Sequence, residues 1–293
     1  MKLLLVVLGL SVCLVAHSDD QCESSNFGIL LTNDDGVTSV GIQELHRALN
    51  EAGHKVRRFA PNRNFSGSGA SLTLREVSVE DLSTSEFPNV YAVGGSPATS
   101  VIIGASVMSQ SGEKPDIIVS GINDGANIGA APTVSGTVGA ILTGLNMLQP
   151  SVPGIAISTN PINDDEKSPE YREHFANVAS FVANLIDIIG CDDQWLENGQ
   201  QALHVNYPPK PPESIKGVRL AEQGKLARPW LGYAENGDGT YTIRRLNESA
   251  SVSSIADSTL FHDGYITIVP IDGNYAAAPI FDTAKVLSVW LGQ

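Results

Sequence analysis

Positive charge is what this 293-residue chain has least of: 18 lysines and arginines stand against 32 aspartates and glutamates, a formal charge of −14. Binders of nucleic acid polymers draw their affinity from basic residues on phosphates, so that class is excluded. A small phosphorylated ligand is not, because a bound cation reverses the local field. Cysteine is scarce too, with three residues, too few for a disulfide-stapled module. No Gly-x-x-x-x-Gly-Lys-Ser/Thr segment occurs, which leaves an ATP- or GTP-driven machine without its phosphate cradle. No Gly-x-Ser-x-Gly elbow precedes the glycine-rich helix near residue 135, so a serine hydrolase lacks its nucleophile turn.

What is present describes a folded chain with an address label. A hydrophobic content of 42% with 17% charged residues supports a large core and excludes disorder. Lys2 is followed by the apolar run Leu3 to Val15, then Ala16-His17-Ser18, then abruptly polar Asp19 and Asp20. This is the pattern of a secretory signal peptide, and the run is too short to span a membrane. Cleavage is expected after Ser18, leaving residues 19–293 as one domain with a charge of −15. The mature chain is expected to be secreted or periplasmic, with no membrane contact. Cys22 and Cys191 then remain, either as one disulfide or as two free thiols.

Along the chain, apolar runs alternate with helical spacings. Phe27 to Thr32, Lys55 to Ala60, Leu72 to Val79, Val90 to Val93, Ile117 to Ser120 and Val152 to Ser158 read as strands. Ile42, Leu45 and Leu49 mark a helix, Ser96-Pro97 opens another, Ser135 caps a third, and Tyr171 to Gly190 is amphipathic. Strands follow at Leu203 to Asn206, Ile215 to Leu220 and Gly264 to Pro270, and a short helix at Ala284 to Leu291. Gly237-Asp238-Gly239 between two tyrosines marks a β-hairpin within about residues 225–250. The alternation predicts an α/β fold with a mostly parallel sheet, whose ligands gather on the loops after the strands. Three polar loops hold that position, after Thr32, Ala60 and Ser120.

Asp34 and Asp35 stand together in the first loop. Adjacent carboxylates repel one another unless a cation or donors compensate. Taken alone they fit a hard divalent metal or a plain Asp-Asp-Gly turn. Asn64 and Ser66 in the second loop, and Asn123 and Asn127 in the third, add neutral oxygens and favour the metal. The loops contain neither His nor Cys, so a zinc site of the usual kind is disfavoured. Ser135-Gly136-Thr137 begins a helix whose free N–H groups suit an anion such as phosphate. It also fits a plain serine cap.

Five segments in order then carry a likeness: Thr32-Asn-Asp-Asp-Gly-Val37, Gly41-Ile42, Ala60-Pro-x-Arg-Asn-x-Ser-Gly67, Ser120-Gly-Ile-Asn-x-Gly-x-Asn127 and Ser135-Gly-Thr-Val138. Together they resemble the stationary-phase survival protein family, SurE, of metal-dependent nucleotidases and phosphatases. The resemblance is dense from about Gly28 to Ser158 and thinner through Leu203 to Gly217 and Asp257 to Pro270. It implies a three-layer α/β/α fold, Rossmann-like, with the hairpin as an arm embracing a partner in a homodimer or homotetramer. It implies Asp34, Asp35, Ser66 and Asn123 as ligands of one Mg²⁺ or Mn²⁺, with Asp34 and Asp35 catalytic. Asn33, Asn64, Asn127, Ser135, Gly136 and Thr137 would line a phosphate pocket. Substrates would be nucleoside 5′- or 3′-monophosphates, with broad acid phosphatase or exopolyphosphatase activity in some relatives. A non-catalytic phosphate- or nucleotide-binding protein on the same fold is the competing reading.

The chain departs from the family pattern in places. Gly95-Ser-Pro-Ala-Thr-Ser100 puts Thr99 where an acid is usual, Asn62 follows Ala-Pro, and Val134 precedes Ser-Gly-Thr. A Gly-Ser doubling in Phe65 to Ser71 sets Ser68 beside Ser66 as a candidate for the same role. Asp257, before the last strand, reads as a capping acid or a group touching the pocket. Asn64 and Asn247 both stand in N-glycosylation patterns, and a glycan is expected on Asn247 rather than on the site loop.

Overall fold

The computed structural model describes residues 26–190, 195, 199–225, 231–245 and 253–274. The signal segment, the Cys22–Cys191 pairing, the Asn247 pattern and the helix expected at 284–291 lie outside the described residues.

Nine strands form one sheet, and their positions follow from side chains that alternate between two apolar layers. In β1 (Gly28–Thr32), Ile29 and Leu31 face one layer and Leu30 the other. Such strands, buried on both faces, read as continuous apolar runs. β2 (Lys55–Pro61), β3 (Val79–Asp81), β4 (Val90–Val93), β5 (Ile117–Asp124), β6 (Gly154–Thr159), β7 (Ala202–Tyr207), β8 (Val218–Leu220) and β11 (Ile266–Ile271) complete it. The order is β3-β4-β2-β1-β5-β6-β7-β11-β8. Pairings from β4 through β7 are parallel, as is β11 with β8, while β3 with β4 and β11 with β7 are antiparallel. β9 (Leu231–Glu235) and β10 (Tyr241–Arg245) form a separate antiparallel hairpin.

Helices cover both faces. α1 (Val40–Glu51) and α4 (Pro169–Ile189) pack together on one face through Ile42, Leu45, Leu49, Phe175, Val178 and Val182. α2 (Pro97–Gln110) and α3 (Gly136–Met147) cover the other through Val101, Met108, Val138 and Ile141. Ser96, Ser135 and Ser168 cap α2, α3 and α4, each accepting a backbone N–H of its first turn, with proline at the first helical position of α2 and α4. α5 (Asp257–Asp263) precedes β11. The three-layer α/β/α arrangement and the extra hairpin match the sequence expectation.

Two local expectations differ. Residues 72–78 are not a strand: Thr73 N–H donates to Thr99 Oγ1 at 2.8 Å, and Gly94 N–H to Ser78 O at 2.8 Å. Side chains at the start of α2 hold this segment in place of a ladder, and Leu74 is 90% exposed. β5, in turn, continues past Ser120. Its register with β6 shifts between Ser120 and Asn123, and Asn123 then pairs with Ser158. Gly121 makes the shift possible, because it has φ +139° and a Cβ there would lie 2.4 Å from Ile157 O. Asn123 therefore stands on a strand end, not on a loop.

The chain goes from β1 to β2 on one side and later enters β5 on the other side of β1. This is a topological switch point, where open α/β sheets form a crevice at the carboxyl ends of their strands. All three polar loops open onto it.

Candidate active site

The first loop is built from within. Asn33 is fully buried, donates to Gly36 O at 2.9 Å and to Ser39 Oγ at 2.8 Å, and accepts Gly36 N–H at 3.2 Å. Its amide shapes the turn that presents Asp34 and Asp35, and both of its donors are engaged there. Asp34 O accepts Phe65 N–H at 2.7 Å, and Pro61 O accepts Val37 N–H at 2.8 Å, so the first and second loops are laced together.

Asp34 is 3% exposed. Thr137 Oγ1 donates to its Oδ1 at 2.6 Å, so this hydroxyl of α3 supports the acid directly. Gly136 comes so close that a Cβ would lie 2.8 Å from Asp34 Oδ2. Burial raises the Asp34 pKa, and hydrogen bonds from Thr137 and from the backbone of residues 34, 137 and 136 oppose that rise. Asp35 is half-buried, and its Oδ2 accepts Asp124 N–H at 3.0 Å. Burial first, then the charge of Asp34, pushes its carboxyl up to about 7. Two adjacent acids are thus desolvated together without a cationic side chain among their partners.

The end of β5 brings Asn123, and the loop after it brings Asn127. Asn123 Nδ2 donates to Gly125 O, which leaves its oxygen as the group a cation can use. Asn127 Nδ2 donates to Ser158 Oγ at 2.9 Å, and its backbone N–H to Asn206 Oδ1 at 2.8 Å. Asn206 Nδ2 in turn lies 3.2 Å from His204 Nε2. Asp124 Oδ2 accepts Tyr171 O–H at 2.7 Å, tying the start of α4 to the loop. In the second loop, Asn64 Oδ1 accepts Ser66 N–H at 2.8 Å, and both residues are exposed. Ser135 is buried, accepts Val138 N–H at 3.2 Å as the cap of α3, and keeps its own hydroxyl proton for another acceptor.

The structure thus brings Asp34, Gly136 and Thr137 into contact, holds Asp35 and Asn127 on the adjoining loops and sets Asn123 on the end of β5. It gives Asn33 and Thr137 supporting bonds in place of free donors. Sequence reasoning missed the partnership of Thr137 with Asp34 and the link from Asp35 through Asp124 to Tyr171. No short pattern joins residues that far apart in the chain. Asp257, read two ways from the sequence, is fully buried. Its carboxylate accepts Gly129 N–H at 3.1 Å on both oxygens, Gly224 N–H at 2.8 Å and Ser258 N–H at 2.6 Å. It anchors the third loop from behind, and the capping reading is the one its bonds support.

A family model described as "Survival protein SurE" matches residues 29–228, which include every residue of this crevice. The chain belongs to the SurE family. Relatives named 5′/3′-nucleotidase SurE from Yersinia enterocolitica and 5′-nucleotidase SurE from Idiomarina loihiensis are 30% and 34% identical, each aligned over 90% of this chain and 98% of the relative. The crystal structure of the SurE protein from Aquifex aeolicus superposes with a TM-score of 0.67 at 29% identity, covering 91% of this chain and all of that one. The SurE fold therefore extends well beyond the matched motifs.

The donor set fits a hard divalent cation. Two adjacent desolvated carboxylates stand together, Asp34 Oδ2 faces Gly136, Asn123 at the end of β5 keeps a free amide oxygen, and Ser66 on the second loop adds a hydroxyl. Among the described residues no three His, Cys, Asp or Glu side chains cluster as a metal site, so two carboxylates with amide and hydroxyl oxygens are the set available.

Proposed function

We propose that this SurE chain is a divalent-metal-dependent phosphomonoesterase acting on nucleoside monophosphates. The observation that carries the reading is the desolvated Asp34–Asp35 pair, at the switch-point crevice, facing the N-terminus of α3. The nucleotidase names of its relatives support the same substrate class. Asp34, Asp35, Ser66 and Asn123 would hold one Mg²⁺ or Mn²⁺. When bound, such an ion neutralises the acid pair, polarises a phosphoryl oxygen and makes water a better nucleophile.

The chain's own residues do the rest. Thr137 fixes the rotamer of Asp34 by binding Oδ1, so Oδ2 is the oxygen left to face the reaction. Asp34 Oδ2 is then also the acceptor positioned to take a proton from the attacking water. The start of α3 and the Ser135 hydroxyl address the phosphoryl oxygens, on which charge is spread in the transition state. Asn127, held by Ser158 and Asn206, keeps the third loop at fixed distance. The closed bond network leaves little to reorganise on binding.

Export through residues 1–18 would place this activity outside the cytosol. The hairpin β9–β10 presents Tyr233, Tyr241 and Ile243 on one face, all more than half exposed. That face suits a second copy of the chain, giving a homodimer or homotetramer. Phosphate release from nucleoside 5′- and 3′-monophosphates, p-nitrophenyl phosphate and polyphosphate, each with Mg²⁺ and with Mn²⁺, tests the reading. Release from the monophosphates is expected. Absence of release under either metal would leave a phosphate-binding protein instead.

A further inference from the structure

Ser68 stands apart from the other polar groups of the second loop. Its Oγ is buried and has no hydrogen-bond partner among the described residues. A buried hydroxyl without a partner is costly, so its position calls for an acceptor that arrives with a ligand. Its location says which. A Cβ built on Gly136 would lie 2.8 Å from Ser68 Oγ and 2.8 Å from Asp34 Oδ2, so both oxygens flank the first turn of α3. The backbone keeps Ser68 there: Ser68 N–H donates to Phe65 O at 3.1 Å, and Gly69 N–H to Val134 O at 2.9 Å, beside the cap of α3. Ser66, two residues earlier, is exposed by comparison.

We propose that Ser68 is a further substrate-binding residue, its O–H donating to an oxygen of the phosphoryl group lodged at the start of α3. The inference rests on the phosphomonoesterase reading above and deepens it. The choice of an anionic acceptor follows from the surroundings. Thr137 occupies Asp34 Oδ1, and Ser68 Oγ makes no bond to Asp34 Oδ2. Asp34 Oδ2 is left to the cation, and the other free groups at this corner, Ser135 O–H and the helix N-terminus, are donors. Ser68 adds a second hydroxyl to that set and anchors the second loop against the ligand. No bond is made or broken at Ser68, so it acts by binding and orientation.

The test uses the full-length mature chain and inorganic phosphate as the probe. In Ser68→Ala, the inhibition constant of phosphate and the KM for a nucleoside monophosphate are expected to rise about tenfold, the loss of one hydrogen bond to a charged group. The midpoint for Mn²⁺ binding, read by the electron paramagnetic resonance of free Mn²⁺, is expected to stay unchanged. Ser68→Thr, which keeps the hydroxyl, is expected to recover most of the phosphate affinity. An unchanged phosphate constant in Ser68→Ala overturns the proposal, and so does weakened Mn²⁺ binding with unchanged phosphate binding. In both cases a hydrolysing wild type leaves the phosphomonoesterase reading intact. A wild type that neither hydrolyses the monophosphate nor binds phosphate overturns that reading and the role of Ser68 with it.

Discussion

Two buried carboxylate centres in this molecule are built in opposite ways. Asp257 is surrounded by donors: three N–H groups from Gly129, Gly224 and Ser258, on three separate segments, converge on one carboxylate. Burial still raises its pKa, but each oxygen has partners. The crevice holds two acids side by side: Asp34 is bonded by the Thr137 hydroxyl and by backbone of the first loop and the start of α3, Asp35 by a single N–H, and Asp35 still faces the charge of Asp34. Asp257 has the environment of a fastener, since a fully bonded anion fixes the chain around it. Asp34 and Asp35 have the environment of a binding site, where negative charge is kept undercompensated for a ligand to complete.

The largest effect expected from that contrast is on Asp34→Asn. Phosphate release is expected to fall by at least about a thousandfold, as for loss of a principal catalytic group. The melting temperature should hold or rise, because the change removes a desolvated, repelled charge. Steady-state assay and calorimetry on the same sample check both halves, and a stability loss would erase the contrast. Asp257→Ala is expected to do the reverse. Orphaning buried N–H groups should cost about 3 kcal/mol, or a melting drop of roughly 6–12 °C for a domain of this size. Near-normal stability there would show that Asp257 is no fastener.

His204 reaches Asn127 of the third loop through Asn206, and pH addresses it. Burial pushes its pKa down to about 4, whereas an unfolded histidine titrates near 6.5. The unfolded chain therefore takes up this proton first. Stability is expected to fall as pH drops from about 6.5 toward about 4, by up to roughly 3 kcal/mol, and to level off below. Urea midpoints across that range should show a shallower fall in His204→Gln. The smallest expected effect is that of Gly136→Ala. Its Cβ would meet Asp34 and Ser68 at 2.8 Å, so turnover should drop about tenfold while the helix gains slightly in propensity. Kinetics beside a helix-monitored melt separate the two.

Much of this was legible in the sequence because it is local. The continuous apolar runs of β1 and β5, the Ser96-Pro97 start of α2, the Ser135 cap of α3 and the Asp-Asp turn each depend on residues within one element. The three loops could be placed at one end of the sheet from the alternation alone. What could not be read depends on contacts across the fold. Asn33 and Thr137 offer the same groups in the sequence as free donors would, and only their distances to Ser39 and Asp34 show them engaged. The strand expected at 72–79 has strand-like residues, yet Thr99 and Ser96 on α2 bind it first. Ser68 and Ser66 differ little in sequence and much in burial, a difference made by the approach of α3.

The central claim is that Asp34 and Asp35 form a cation-dependent phosphomonoesterase centre, and one measurement bears on it most directly. Phosphate release from a nucleoside 5′-monophosphate is followed with Mn²⁺ present, after chelation, and after Mn²⁺ is restored. The account predicts turnover that disappears on chelation, returns with the ion, and is absent throughout in Asp34→Asn. Turnover that persists through chelation, or that survives in Asp34→Asn, would contradict it.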